Sequence, residues 1–262
     1  MTSELGCRLL VGDTYILFNS HTCTYMYICS HNYTCTCTYN NTLLIQGDLK
    51  KFLINSRPYD DDPPSLSPQH MRKIILQVAD GMAYLFSQRI IHGDLATRNC
   101  LISSDLRVKI ADLGIGHDLY NEDYYDNGSQ LLPIRWMPPE LLVHSDEGPT
   151  FSLHSDIWSF GVFCWEVFSY SRLPYDSLSD EEVLSMVPAG TRLRSPSKSC
   201  PPALYDIMID CWHEIPEERP VFAKLCVAII GCELDWFCIN FILPWQPIVL
   251  STAQQYGQCP LS

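Results

Sequence analysis

Five short motifs between positions 92 and 220 hold the residues of this 262-residue sequence that could do chemistry. In chain order they are His92-Gly-Asp-Leu-Ala-Thr-Arg-Asn99, Asp112-Leu-Gly114, Met137-Pro-Pro-Glu140, Asp156 and Arg219-Pro220. Carboxylate and amide oxygens are the hard ligands that magnesium prefers, and a positioned aspartate can accept a proton. Each motif alone is weak evidence, because a His-x-Asp triplet usually just lies on a surface and Asp-Leu-Gly after a strand usually forms a turn.

Three predicted elements would position these motifs. Ser67-Pro68 is typical of a helix N-cap and first helical residue. Apolar residues then recur along one helical face, at Met71, Ile74, Ile75, Val78, Met82 and Leu85. Short strands are predicted at 100–102 and 108–110, joined by a Ser-Ser-Asp turn. The run 155–170 is apolar on nearly every side, which favours a helix buried at the centre of a helical domain.

The five motifs, in this order and spacing, resemble the C-terminal lobe of a protein kinase catalytic domain. The resemblance covers roughly residues 47 to 225. It implies a mainly α, protein-kinase-like fold, in which a helical lobe carries short β-hairpins and the N-terminal lobe is missing or replaced. We expect a truncated kinase domain over 47–230, between an unassigned low-complexity segment at 1–46 and an unassigned tail at 231–262.

The resemblance also implies a role for each motif residue. Asp94 would orient the acceptor hydroxyl and accept its proton, and Arg98 would help to position the acceptor. Asn99 and Asp112 would hold the Mg²⁺ ions that bridge the phosphates of ATP. The implied structural residues are Glu140 and Arg219 as a buried ion pair, Asp156 as a brace for the catalytic loop, His92 and Leu113 as packing residues behind the site, and Gly114 beside them in the Asp-Leu-Gly motif.

Subfamily signals favour tyrosine as the acceptor. The segment 94–99 lacks the lysine that serine/threonine kinases usually place two residues after the aspartate, and 132–137 resembles the substrate-docking loop of tyrosine kinases. Tyr120, Tyr124 and Tyr125 match the activation-loop phosphosites of insulin-receptor-like, neurotrophin-receptor and ROR (receptor tyrosine kinase-like orphan receptor) kinases. The stretches at 155–161, 165–170 and 211–216 resemble the ROR and muscle-specific kinase group. These signals predict transfer of the ATP γ-phosphate to protein tyrosines in receptor-type signalling, with a second kinase copy as a partner for trans-phosphorylation.

Two departures from the kinase pattern favour an alternative function, a catalytically inactive scaffold that docks partners. Gly93 replaces the arginine that in most kinases pairs with the phosphorylated activation loop, so phosphorylation should control that loop less strongly. A Gly93→Arg change should therefore increase phosphorylation-dependent activation. Only Gly6 and Gly12 precede Gly47, and the first lysine is Lys50, so neither a glycine-rich loop nor a strand lysine is evident. We therefore expect negligible phosphate transfer by this chain alone.

Composition excludes several other classes of protein. Thirty acidic against seventeen basic residues, a net charge of −13, argue against a nucleic-acid binder, which needs a basic face. The thirteen cysteines include no Cys-x-x-Cys pair, so free thiols in a reducing compartment are favoured over a disulfide framework or a zinc site. No secretory signal is evident, and the most apolar stretch, 226–250, contains Glu233, Asp235 and two prolines. A cytoplasmic location follows, as for the kinase domains of plasma-membrane receptors.

The two ends differ from the centre in composition. Residues 1–46 contain three charged residues and no lysine, and Thr, Cys and Tyr fill two thirds of 22–42. We interpret this segment as translated simple-repeat DNA such as a retained intron; the alternative is a β-rich extension, since Thr and Tyr favour strands. The tail after residue 230 is interpreted as sequence from outside the family, with an interaction tail as the alternative.

Overall fold

The computed structural model describes residues 45–58, 66–111, 119–143 and 148–232. Its helices are α1 (Leu49–Asn55), α2 (Pro68–Ser87), α3 (Pro139–Leu142), α4 (Leu153–Phe168), α5 (Asp180–Met186), α6 (Pro202–Cys211) and α7 (Phe222–Gly231). Its strands are β1 (Ile45–Asp48), β2 (Cys100–Ser103), β3 (Val108–Ile110), β4 (Tyr125–Asp126) and β5 (Leu131–Leu132). Short 3₁₀ turns cover Thr97–Asn99, Asn121–Asp123, Ile134–Trp136 and Pro216–Glu218. The prediction of a mainly α fold with short hairpins is confirmed for these residues.

Helix α2 forms where the sequence predicts it. The Ser67 hydroxyl accepts a hydrogen bond from His70 N at 3.3 Å, and Pro68 occupies the first turn, where its missing N–H costs nothing. All six predicted apolar residues of its inner face are buried. Helix α2 therefore packs along α7 and α4 and places the segment that follows it at the edge of the core.

Helix α4 is the buried centre of the fold, and every residue from Ser155 to Phe168 is buried. The helix begins at Leu153, two residues before the predicted start, because Ser152 and Ser155 form a reciprocal capping box. Gly161 allows close approach of the neighbouring chain, since a Cβ there would lie 2.6 Å from Trp212 Nε1 and 2.8 Å from Cys211 Cβ.

The predicted hairpin is present, and one strand adds to it that the sequence did not indicate. Strands β2 and β3 pair antiparallel with Cys100 opposite Ile110, and β1 pairs antiparallel with the other edge of β2. The expected domain boundary at residue 47 falls inside β1. Asp48 ends that strand and caps α1, since its carboxylate accepts from Lys51 N at 2.7 Å. Strand β1 thus anchors α1 beside the catalytic loop.

Among the described residues, no helix is long and apolar enough to cross a bilayer. The six cysteines in these ranges are free thiols, and Cys100, Cys164, Cys200 and Cys211 are buried. Burial raises their pKa values, in the case of Cys200 to about 12. These buried thiols therefore act as small apolar side chains of the core. The predictions for the ends, 1–46 and 231–262, lie almost entirely outside the described residues.

Candidate active site

The catalytic-loop motif lies between α2 and β2 and converges on Asp94. Arg98, which is fully buried, donates to the Asp94 carboxylate through Nη2. Asn99 Nδ2 donates to the Asp94 backbone oxygen at 2.6 Å and to its Oδ2 at 2.8 Å. Asp94 keeps 23% of its side-chain surface exposed. The three residues predicted to be catalytic are therefore in direct contact, with one carboxylate open toward solvent.

The surroundings of Asp94 favour its ionised form. Burial alone would raise the pKa of this carboxyl, but the Arg98 charge and hydrogen bonds from Tyr124 and Asn99 lower it overall. Arg98 in turn has its pKa raised by Asp94 and other anions against the effect of burial, so it stays protonated. Asp94 is therefore a hydrogen-bond acceptor across the neutral pH range.

Asp156, at the start of α4, holds the backbone that leads into Asp94. Its two carboxylate oxygens accept from His92 N at 2.8 Å and Gly93 N at 2.9 Å. Gly93 has φ +80°, a conformation that an L side chain rarely adopts. Burial raises the pKa of Asp156, although these hydrogen bonds oppose the effect. Asp156 is thus hydrogen-bonded to the backbone of the catalytic loop, which is the contact that the predicted brace requires.

His92 contacts the backbone of this loop. Its Nδ1 accepts from Asp94 N at 3.3 Å, and its buried Nε2 has no partner among the described residues. Farther away, Arg219 and Glu140 form the expected ion pair, with Nη1–Oε1 and Nη2–Oε2 both at 2.7 Å. The side chain of Arg219 is fully buried. This bidentate pair ties α3 to the chain that enters α7.

Tyr124 lies directly on the catalytic residues. Its hydroxyl donates to Asp94 Oδ2 at 2.7 Å and accepts from Arg98 Nε at 2.7 Å. The Arg98 guanidinium also lies 4.5 Å from the centre of the Tyr124 ring. Burial raises the pKa of Tyr124, which stays a neutral phenol. A tyrosine hydroxyl therefore already lies within proton-transfer distance of the candidate base.

The other predicted phosphosites have different surroundings. Tyr120 donates to Asp48 Oδ1 at 2.9 Å, and Tyr125 lies half-buried in β4, paired with Leu132. Asp112, Leu113 and Gly114 lie outside the described residues. The amide nitrogen of Asn99 donates both of its hydrogen bonds to Asp94. Its amide oxygen is therefore available as a hard oxygen ligand of the kind that Mg²⁺ prefers. No cluster of three metal-binding side chains occurs in the ranges that the structure describes.

Two parts of the site were missed by the sequence reasoning. Glu166, 1% exposed in α4, accepts from Thr97 N at 3.1 Å, Thr97 Oγ1 at 2.7 Å and Trp136 Nε1 at 2.9 Å. It therefore joins the catalytic loop to the turn Ile134–Trp136, whose Trp136 ring lies 4.2 Å from the Arg98 guanidinium. The available signal was that Glu166 is the only charged residue between positions 157 and 168, in an otherwise largely apolar stretch of the helix.

The second missed part is an ion pair between α1 and the loop that carries Tyr124. Lys50 Nζ lies 2.6 Å from both carboxylate oxygens of Asp123, and both side chains are almost completely buried. Nothing in the local sequence joins two residues 73 positions apart.

A helical fold with a braced His-x-Asp loop and an asparagine hydrogen-bonded to that aspartate resembles the C-terminal lobe of a protein kinase. The family model for protein tyrosine and serine/threonine kinases matches residues 19–229. The chain belongs to this family. The match begins at residue 19, upstream of residue 47, the position at which the sequence motifs predict the start of the domain.

The relatives include receptor tyrosine kinases. The chain is 42% identical over 191 residues to the insulin-like growth factor 1 receptor of Bos taurus, covering 71% of this chain and 29% of the receptor. It is 42% identical over 183 residues to the tyrosine-protein kinase transmembrane receptor Ror of Drosophila melanogaster, covering 70% of this chain and 26% of that receptor. It is also 42% identical over 186 residues to the inactive tyrosine-protein kinase 7 of Gallus gallus, covering 70% of this chain and 17% of that protein. The chain thus spans less than a third of each of these relatives.

Proposed function

We propose that this chain supplies the acceptor-binding and catalytic-base lobe of a receptor-type tyrosine kinase, which transfers the γ-phosphate of ATP to protein tyrosines. The observation that carries the proposal is the contact between the Tyr124 hydroxyl and Asp94 Oδ2 at 2.7 Å. Asp94 is ionised and lies within reach of the proton that leaves the hydroxyl when its oxygen attacks phosphorus. Arg98 Nε donates a hydrogen bond to the Tyr124 hydroxyl oxygen and so holds the acceptor in place.

Asn99 and Asp112 are the residues we assign to Mg²⁺. Bound Mg²⁺ neutralises charge on the ATP phosphates during transfer. Asn99 is suited to this because its nitrogen is anchored on Asp94, which orients its free amide oxygen beside the base. We infer that the glycine-rich loop and the strand lysine that clamp the nucleotide come from a segment outside this sequence, since no lysine precedes Lys50.

In the conformation described, Tyr124 occupies the position that an acceptor tyrosine of another protein would take. Exchange for a substrate requires the loop to leave, and a phosphate on Tyr124 would favour this, because two negative groups cannot share the Asp94 contact. A second copy of the kinase is therefore the natural catalyst of this phosphorylation, with ATP as the phosphate donor, and Tyr120 and Tyr125 are further acceptors. We propose further that this domain lies on the cytoplasmic side of a receptor.

A complemented kinase assay tests the proposal. The chain from residue 45 onward, joined to the N-terminal lobe of one of the matched receptors, should transfer radioactive γ-phosphate to a tyrosine peptide. Asp94→Asn should abolish the transfer, and Asp105→Asn, the same exchange at an exposed aspartate, should leave it intact. Equal transfer by the Asp94→Asn and parent proteins would overturn the role of Asp94.

An inactive docking scaffold is the second candidate, favoured by Gly93 and by the similarity to a relative named as an inactive kinase. It predicts that the complemented protein transfers no phosphate, although Tyr124 and Tyr125 are phosphorylated by other kinases.

Calorimetric titration of the whole chain with Mg·ATP tests whether this chain binds the nucleotide without another segment. Tight binding by residues 1–262 alone would contradict our inference that the phosphate clamp is supplied by another segment.

A further inference from the structure

The segment between α5 and α6 carries a local charge opposite to that of the whole chain. No acidic residue occurs between positions 183 and 205, whereas Arg192, Arg194 and Lys198 lie close together in the sequence. The complete chain, by contrast, has a net charge of −13. A basic segment of this kind favours binding by a protein whose peptide-binding cleft carries acidic groups.

This segment is anchored to the lobe by its backbone. The backbone oxygen of Leu193 accepts a hydrogen bond from the Tyr205 hydroxyl of α6 at 2.9 Å. The backbone oxygen of Arg194 accepts from Trp165 Nε1 of α4 at 2.8 Å. Residues 191–197 form no helix, strand or turn. A cleft of another protein can therefore bind the exposed part of the segment while the lobe stays folded.

Ser195 is the chemically reactive group of the exposed part. Its side chain is exposed, and its hydroxyl makes no hydrogen bond within the described residues. Pro196 follows it, which restricts the backbone of Ser195 to extended conformations and offers no N–H. A cleft without an acceptor at that position selects proline, because the N–H of any other residue would be buried without a partner. Lys198, also exposed, can pair with an acidic group of the same cleft.

The sequence contains one other serine followed by proline, and its surroundings differ. Ser67 is the N-cap of α2, where its hydroxyl accepts from His70 N at 3.3 Å and Pro68 begins the helix. Binding of this serine in an extended conformation would break the cap and unwind the first turn. The structure therefore distinguishes two sites that share the same dipeptide, and it favours Ser195.

From these observations we propose that Ser195 is a phosphorylation site for a proline-directed serine kinase. Ser195 Oγ attacks the γ-phosphorus of ATP, and the Oγ–P bond forms as the bond from that phosphorus to the departing oxygen of ADP breaks. The hydroxyl proton passes to the base of the attacking kinase. The phosphate adds a charge of about −1.5 to −2, so the charge of residues 192–198 would change from +3 to about +1. The inference does not depend on the proposed function, because Ser195 is here the substrate of another enzyme.

Phosphorylation of the full chain by a purified cyclin-dependent kinase, as the proline-directed probe, tests the inference. Residues 1–262 are incubated with this kinase and radioactive Mg·ATP, and the labelled site is located by mass spectrometry. We expect phosphoserine at Ser195 and none at Ser67. Ser195→Ala should abolish the label, whereas Ser197→Ala, at a serine in the same segment that is followed by Lys198, should leave the rate unchanged.

Two further variants test how the segment is recognised. Pro196→Ala restores an N–H that the cleft cannot satisfy, so the rate should fall about tenfold or more. Lys198→Met removes an exposed charge, so the rate should fall about two- to fivefold. Lys224→Met, at an exposed lysine of α7, is the matched control and should leave the rate unchanged. Circular dichroism verifies that each variant is folded.

Several results would overturn the inference. These are the absence of phosphoserine from the parent chain, an undiminished label in Ser195→Ala, and equal rates for Pro196→Ala and the parent. Equal labelling of Ser67 and Ser195 would also overturn it, because the dipeptide alone and not the exposed segment would then be recognised.

Discussion

The Glu140–Arg219 pair offers a prediction whose magnitude follows from the contacts. The Arg219 guanidinium makes two 2.7 Å bonds to Glu140 and 3.0 Å bonds to the backbone oxygens of His213 and His154. Glu140→Ala removes both of these charged bonds and leaves a fully buried cation without a carboxylate partner among the described residues. Breaking a buried pair in this way costs about 3–5 kcal/mol. We take the lower end, about 3 kcal/mol, because 32% of the Glu140 side chain is exposed and water can reach the gap.

Urea unfolding of the full chain, followed by circular dichroism, measures this loss. With a slope of about 2 kcal/mol per molar urea, the midpoint of the Glu140→Ala chain should fall by about 1.5 M. Glu140→Gln, which keeps one acceptor oxygen, should lose about half as much. The control is Asp105→Ala, which breaks the exposed ion pair with Arg107, where solvent screening leaves little to lose. A midpoint shift for Glu140→Ala no larger than that of the control would show that the buried ion pair does not stabilise the fold.

Three further predictions concern the elements around the site. Gly93→Ala should lower the free energy of unfolding by about 1 kcal/mol, because φ +80° is strained for alanine, and urea unfolding measures it. Gly161→Ala should cost about 1–3 kcal/mol in the same assay, because the new methyl group would overlap Trp212 and Cys211. Burial raises the pKa of Glu166 above 4.5, so its protonation stabilises the fold below pH 4.5 and this contribution is lost as the pH rises through the higher folded pKa. Glu166→Gln should therefore show a smaller fall in unfolding free energy between pH 5 and pH 8 than the parent chain.

Each of these has a result that contradicts it. An unchanged or raised stability of Gly93→Ala would show that the loop tolerates a side chain at position 93. The Gly93→Arg change, which is predicted to strengthen activation, would then also introduce no backbone strain. A neutral Gly161→Ala would mean that α4 and α6 can separate at no cost. Equal pH slopes for the Glu166→Gln and parent chains would show that this carboxyl does not titrate differently on folding.

Elements with strong local signals could be predicted from the sequence. The Ser67-Pro68 cap with its periodic apolar face, the Ser-Ser-Asp turn between two short strands and the apolar run of α4 are each encoded within about twenty residues. Their bounds differ from the structure by one or two residues, at ends where capping side chains decide. The motif residues from His92 to Asn99 could likewise be proposed as site residues from the sequence, because their spacing within one loop is itself the signal.

The contacts that the sequence did not predict join distant segments. Tyr124 was predicted as a phosphosite and Asp94 as a base, yet nothing in the sequence places the hydroxyl of one on the carboxylate of the other. That contact depends on where the loop lies, which the Lys50–Asp123 ion pair and the Tyr120–Asp48 hydrogen bond help to determine. Strand β1 escaped prediction for a similar reason, since its pairing with β2 is formed across more than fifty residues.

The most direct test of the whole account is transfer of the γ-phosphate to tyrosine by the complemented kinase. The measurement is the rate of radioactive phosphate incorporation from Mg·ATP into a tyrosine peptide, with the Asp94→Asn variant assayed beside the parent and peptide affinity measured for both. The account predicts phosphotyrosine with the parent and none with Asp94→Asn, although both bind the peptide. Phosphotyrosine formed at the same rate by both proteins would contradict it.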